Sequence, residues 1–136
     1  MTGVESIEIM PVRTGDDVVR VRQLVRAQAK AVRLSLVDQT KLVTAASELA
    51  RNIVTYGGAG TVRVETITKE GRRAVQATFS DTGPGIPDVE LALTDGWTSG
   101  TGLGLGLSGA RRLVDEFDID TQVGKGTTVT VVKWTR

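Results

Sequence analysis

Four short segments hold the side chains in this chain best suited to chemistry. Glu48 and Asn52 stand four apart in S-E-L-A-R-N-I, and Asp81 opens D-T-G-P-G-I. Glycines alternate through G-T-G-L-G-L-G at 100–106, and Thr127 closes G-K-G-T. A carboxylate at Asp81 can accept a hydrogen bond from the exocyclic amine of adenine, while Gly83 and Gly85 let the backbone bend tightly around the base. Asn52 offers a carbonyl oxygen, a hard donor suited to Mg²⁺, which often takes only one or two protein ligands beside phosphates and water. Glu48 projects from the same helix face as Asn52 and is suited to orienting or deprotonating an incoming nucleophile. The glycine run stands where a loop enters a helix, so N–H groups without obstructing side chains are open to phosphate oxygens. In this order the four segments point to a site for ATP.

Each segment alone has a plainer reading. Glu48 and Asn52 read as a solvent-facing acid and a turn-bonded amide, the glycine run as a flexible loop with tight helix packing, and G-K-G-T as a hairpin turn. Residues 104–109 also satisfy G-x-G-x-x-G, but that dinucleotide fingerprint requires a strand immediately before it, and T-D-G-W-T-S-G-T is not one. The pattern G-x-x-x-x-G-K-[ST] does not occur.

The elements that must position these residues are legible from periodicity. Residues 4–10 alternate as an edge strand. Thr14 or Asp16 caps a helix running to about Arg33, with Val18, Val21, Leu24, Val25, Ala29 and Val32 at helical spacing. A second helix is expected over 37–56, stopping at Gly57-Gly58, with Leu42, Ala46, Leu49 and Ile53 inward. Strands follow at 61–68 and 74–80, turned around Glu70-Gly71. Residues 82–101 read as a loop able to serve as a lid. A third helix starts near Gly102–Gly104 and runs to about Glu116, with Leu107, Ala110, Leu113 and Val114 inward. Strands at 117–123 and 127–134, turned by G-K-G, end the chain. This is an α+β two-layer sandwich, a mostly antiparallel mixed sheet with helices on one face.

The 136 residues make one domain, 1–136, large enough to bury a core without staples. There is no cysteine and no histidine, which excludes disulfides, thiolate nucleophiles, imidazole chemistry and a phosphohistidine on this chain. A formal charge of +1 with scattered bases gives no expectation of nucleic acid as a partner. The first ten residues are too acidic and too poor in apolar residues for a signal peptide, and no run approaches the roughly 18 apolar residues of a membrane span. A soluble cytoplasmic domain without membrane contact is expected.

In this order the four segments resemble the ATP-binding boxes of the ATPase superfamily shared by gyrase, heat-shock-90 chaperones, histidine kinases and mismatch-repair proteins. The short length and compact lid look like its anti-sigma-factor serine/threonine kinases, nearest to the switch-kinase branch of the stressosome pathway. S-E-L-A-R-N-I at 47–53, D-T-G-P-G-I-P-D at 81–88, D-G-W-T-S-G at 95–100, A-R-R-L-V-D-E-F at 110–117 and V-K-W at 132–134 carry the likeness. It implies a Bergerat-type fold and a role for each residue. Glu48 would be the catalytic base and Asn52 the Mg²⁺ ligand. Asp81 would hold the adenine amine, with Gly83 and Gly85 folding around the base. Gly102, Leu103, Gly104, Leu105 and Gly106 would cradle phosphates, and Thr127 would support Asp81. ATP and Mg²⁺ are the implied cofactors. STAS-domain antagonist or scaffold proteins, phosphorylated on Ser or Thr, are the implied substrates, with a downstream phosphatase or regulator as a further partner.

Two positions depart from the family pattern. Tyr56 stands where relatives often have His or Asn, and no Lys or Arg occurs between Asp88 and Ala110, where several relatives carry a basic lid residue. Charge on the transferred phosphoryl group would then be met by Mg²⁺, helix N–H groups, Arg51 or a partner, although Arg51 reads more simply as a surface residue. The expected function is an ATP- and Mg²⁺-dependent protein serine/threonine kinase in partner switching. A nucleotide-dependent module that sequesters a sigma factor or activates a phosphatase, with little turnover, is the alternative. A detached histidine-kinase catalytic domain fits less well, since neither a phosphoacceptor His nor a dimerising helix pair accompanies it. Trp97 in the expected lid would report closure, and Trp134 is expected to pack on the sheet.

Overall fold

The computed structural model describes residues 2–86, 89–93 and 106–136. Its first strand, β1, is Thr2–Val12. Helix α1, Gly15–Ala31, begins at Thr14, and Asp17 in its first turn accepts from the backbone N–H groups of Arg13 (2.9 Å) and Thr14 (3.3 Å). That carboxylate satisfies two donors at the helix start and suits the positive end of the helix dipole. The stripe Val18, Val21, Val25 and Ala29 is buried as its spacing requires.

Helix α2, Leu36–Asn52, is capped by Ser35, whose hydroxyl accepts from the Asp38 N–H at 3.1 Å. Where one continuous helix was expected to Tyr56, the α-helix ends at Asn52 and the chain adds a π-helical turn, Ile53–Gly57. Strands β2, Gly60–Lys69, and β3, Arg72–Asp81, form a hairpin. Glu70 (φ 53°) and Gly71 (φ 81°) are both left-handed, the geometry that matches a two-residue turn to the twist of its strands.

Of the segment expected as loop and lid, Val89–Ala92 forms one helical turn, α3. Residues 87–88 and 94–105, including Trp97, lie outside the described residues. Helix α4, Leu107–Leu113, ends three residues before the expected Glu116. Val114 is already extended, and the Asp115 N–H donates to the Val132 carbonyl at 2.9 Å, so sheet pairing takes the chain over. Strands β4, Glu116–Gln122, and β5, Gly126–Trp134, complete the sheet.

The strand order is β1-β2-β3-β5-β4, and every pairing among the described residues is antiparallel, in keeping with the mostly antiparallel sheet expected. The last hairpin enters with β4 at the edge and returns β5 to the centre beside β3. Val62 and Val64 of β2, Val75, Ala77 and Phe79 of β3, and Val129 and Val131 of β5 are buried with Leu42, Ala46 and Leu49 of α2. Small residues on α2 (Ala45, Ala46, Ala50) let it lie close to its neighbours. No helix among the described residues is long and apolar enough to cross a membrane. Trp134 packs at the sheet end as expected, with the Arg72 guanidinium 5.4 Å from its ring centroid and its indole N–H donating to Glu116.

Alternation along β5 puts Lys133 in line with Val129 and Val131, on the side facing the helices. Its side chain is 4% exposed, and its ammonium group lies 3.3 Å from Asp115 and 3.5 Å from Asp38 of α2. Arg136 reaches both carboxylates from outside. Burial pushes the Asp115 carboxyl upward, but the Trp134 N–H at 2.7 Å and the Lys133 and Arg136 charges outweigh it, so the group is held below its ordinary value.

Two outcomes are expected from these contacts. Lys133→Met leaves two carboxylates without their buried cation and should lower stability by about 3 kcal/mol in urea unfolding; a loss near zero would show the cluster to be dispensable. The Asp17 carboxyl is lowered chiefly by the Arg13 N–H, so the unfolded chain takes up its proton more readily. Its contribution is therefore complete above the ordinary value of about 3.9 and is lost as pH falls through the folded value. The stability gap between wild type and Asp17→Asn should stay constant above about pH 5 and narrow on acidification. A gap independent of pH would contradict this.

Candidate functional site

The register of β3 on β5 sets Asp81 opposite Thr127, one step beyond the buried pair Phe79 and Val129 on the helix-facing side. Here the core opens into a cavity. Phe79, Val129, Asp81 and Thr127 form its floor, and Leu49, Asn52, Ile53, Tyr56 and Gly57 form one wall. Pro84, Gly85 and Ile86 close the side, and Leu107 of α4 completes the lining. The walls are largely apolar with a few polar groups at one end, the composition that suits a flat heterocycle with an amine.

Asp81 is held by its own loop. Its Oδ1 accepts from the Gly83 N–H at 2.9 Å, which orients the carboxylate and leaves other acceptor positions for a ligand. Gly57, at the end of the π-helical turn, lies against it: a Cβ built there would stand 2.6 Å from Asp81 Cγ. A Cβ on Gly83 would stand 2.7 Å from Gly57 Cα, so the Gly57 and Gly83 backbones and the Asp81 side chain meet at spacings only glycine allows. Sequence reading took Gly57 as a helix stop; its place against Asp81 depends on where the π-helical turn lands.

Gly85 (φ +78°) turns the loop against the end of β4, where its added Cβ would meet the Gln122 carbonyl oxygen at 2.5 Å. Two hydrogen bonds fasten this loop to the last hairpin. The Gly124 N–H donates to the Pro84 carbonyl at 2.8 Å, and the Ile86 N–H donates to Thr121 Oγ1 at 2.9 Å. Thr121 Oγ1 is also 2.8 Å from Thr127 Oγ1 and 3.1 Å from the Gly126 carbonyl. The Thr127 hydroxyl thus has Thr121 as its hydrogen-bond partner, while its strand position is opposite Asp81. Thr121 is a residue that sequence reading missed. Its signal was weak: one half-buried Thr in an alternating strand.

Glu48 and Asn52 occupy one face of α2 but serve two hollows. Asn52 lines the apolar cavity, and Glu48, one turn earlier, lines a polar groove between α1 and α2. Glu48 Oε1 accepts from Arg51 Nη1 at 2.8 Å, and Arg51 Nη2 also reaches Ser47 at 3.4 Å. Arg51, half exposed, is therefore the partner of the candidate base. Gly106 (φ +70°) begins α4 directly over Glu48, and a Cβ there would be 2.6 Å from Glu48 Oε2. The rest of the expected phosphate cradle, Gly102, Leu103, Gly104 and Leu105, lies outside the described residues.

The described residues contain no group of three or more His, Cys, Asp or Glu side chains placed to hold a metal. A Mg²⁺ ion that takes most of its ligands from nucleotide phosphates and water needs only a hard oxygen at the cavity wall, and Asn52 is such a donor.

The chain is similar to known proteins in sequence and in fold. A family model described as histidine kinase-, DNA gyrase B-, and HSP90-like ATPase matches residues 37–135. The chain is 42% identical over 120 residues to serine/threonine-protein kinase RsbT of Bacillus subtilis (strain 168), covering 88% of this chain and 90% of that protein. It is 33% identical over 103 residues to anti-sigma F factor of Geobacillus stearothermophilus, covering 71% of this chain and 69% of that one. In a crystal structure of the RsbU and RsbW domains of Rv1364c from Mycobacterium tuberculosis, the likeness is one of fold. Its TM-score is 0.67 at 22% identity, and it covers 96% of this chain and 33% of that longer one. The sandwich, the Asp81 cavity and these matches together identify the chain as a member of the histidine kinase-, DNA gyrase B-, and HSP90-like ATPase family.

Proposed function

We propose that this protein is an ATP- and Mg²⁺-dependent serine/threonine kinase that phosphorylates a STAS-domain partner and so switches which protein that partner binds. The observation that carries the reading is the division of labour along α2: Asn52 faces the cavity behind Asp81, and Glu48 faces an open groove. A nucleotide in the cavity and a protein hydroxyl in the groove would meet at one helix. The identity to a serine/threonine-protein kinase over most of both chains supports the reading.

Adenine would enter between Phe79, Val129 and Ile53, with its amine donating to Asp81. Bound Mg²⁺ would neutralise charge on the phosphates beside Asn52. Glu48 would accept the proton of the attacking hydroxyl as its oxygen bonds to the γ-phosphorus. The bond from that phosphorus to the β–γ bridging oxygen breaks, and ADP leaves. Arg51 would hold the Glu48 carboxylate in the orientation for this transfer until the hydroxyl arrives. The setting is cytoplasmic, where ATP is supplied.

The test is phosphate transfer from Mg²⁺-ATP to STAS-domain proteins of the same genome, read by mass spectrometry. Wild type should place one phosphate on a single Ser or Thr. Glu48→Gln should bind nucleotide within twofold of wild type and transfer roughly 10²–10⁴-fold more slowly. A fully active Glu48→Gln removes it as base, and ATP binding without transfer to any candidate would favour the nucleotide-gated binding module. Asp81→Asn loses a hydrogen bond to a charged acceptor, about 1.5–3 kcal/mol, and should weaken ATP binding correspondingly in a fluorescent-nucleotide titration. Unchanged affinity would sink the adenine role.

A further inference from the structure

We propose that Thr121 is a positioning residue for the base: its hydroxyl sets the Thr127 hydroxyl as a hydrogen-bond donor toward the ring-nitrogen edge of adenine. The inference rests on the reading of the Asp81 cavity as the ATP site and adds to it the residue that decides what Thr127 offers there. Thr121 is not among the described residues that line the cavity, so it acts from behind the floor.

An ionised carboxylate only accepts hydrogen bonds. Asp81 can therefore take the 6-amino group of adenine but not N1, the ring nitrogen beside it, which is itself an acceptor. N1 calls for a donor close to Asp81. Strand register supplies one: Thr127 stands opposite Asp81 in the β3–β5 ladder, and both line the cavity.

Whether the Thr127 hydroxyl donates or accepts depends on Thr121. The two residues are cross-strand partners of β5 and β4, with their hydroxyl oxygens 2.8 Å apart. A threonine hydroxyl has one proton and two lone pairs, and its proton rotates to suit its neighbours. One lone pair of Thr121 is taken by the Ile86 N–H at 2.9 Å. Its proton has two acceptors in reach, the Gly126 carbonyl at 3.1 Å and Thr127 Oγ1 at 2.8 Å. When the proton goes to Gly126, Thr127 donates back to Thr121 and shows the cavity only lone pairs. When it goes to Thr127, the Thr127 proton is released toward the base. A ligand that places an acceptor beside its amine selects the second arrangement. Ile86 also lines the cavity, so one oxygen orders both the loop and the donor.

The test uses wild type, Thr121→Val, which keeps the side-chain shape without the hydroxyl, and Thr121→Ser, which restores it. Thr127→Val, the double variant Thr121→Val/Thr127→Val and Thr130→Val complete the set, the last being the same change on β5 away from the cavity. Fluorescent-nucleotide displacement gives Kd for ATP and for 1-deaza-ATP, in which a CH replaces N1. Transfer from Mg²⁺-ATP to the STAS-domain proteins gives KM and kcat. Thr121→Val should weaken ATP binding about tenfold, as expected for one hydrogen bond lost from a fixed network, and leave kcat at saturating ATP within twofold. Its loss for 1-deaza-ATP should be threefold or less. Thr121→Ser and Thr130→Val should bind ATP within twofold of wild type. The double variant should fall at least threefold short of the product of the two single losses, because Thr121 acts through Thr127.

An unchanged Kd in Thr121→Val, equal losses for ATP and 1-deaza-ATP, or a double variant at the full product would overturn the proposal while leaving the kinase standing. Should Thr121→Val fail to fold in urea titration, Thr121→Ala takes its place under the same criteria. If wild type binds ATP but transfers no phosphate, the kinase reading fails and Thr121 is judged on Kd alone. A wild-type protein that binds neither nucleotide would overturn both.

Discussion

The contact between the Gly57 backbone and the Asp81 carboxyl group governs how the helical layer meets the sheet at the open end of the sandwich. Gly57 ends the π-helical turn and Asp81 ends β3, and an added Cβ at 57 would fall 2.6 Å from the carboxyl carbon. If that approach widened, the cavity would lose the wall that carries Asn52, Ile53 and Tyr56 relative to the floor that carries Asp81. Placement of a π turn here is in keeping with the tendency of such turns to occur at functional sites.

The opposite end of the same layer is closed by charge. Lys133 occupies a core-facing position on β5 and draws in Asp38 from the first turn of α2 and Asp115, the residue before β4. The two ends therefore hold α2 at its N-terminus by a buried ion cluster and at its C-terminus by close backbone packing. Between them, α2 presents Glu48 and Asn52 from a rigid support, as a site must if its geometry is to be reproducible.

The Asp81 loop depends on the final hairpin rather than on its own sequence neighbours. Thr121 and Gly124 hold Ile86 and Pro84, and the register of β5 brings Thr127 opposite Asp81. A change in that hairpin would alter the nucleotide end of the site from some 35 residues away in sequence, since Ile86 and Thr121 are separated by 35 positions.

The sequence by itself determined the elements, their order and the residues equipped for chemistry. Helical spacing in 18–29, alternation in 75–79 and the Glu70-Gly71 turn are local properties of a chain that must bury one face, and they survive in the structure with small shifts. It overran at Asn52, where the winding changes to a π turn, and at Val114, where sheet pairing takes the chain over. Only the tertiary structure decided that Glu48 and Asn52 look into different hollows, that Arg51 holds Glu48, that Gly57 seats Asp81, that Thr121 ties the loop, and that Lys133 is buried. Local spacing specifies which face a side chain occupies, whereas strand register and helix packing specify what stands opposite that face, and that depends on the close packing of residues distant in the chain.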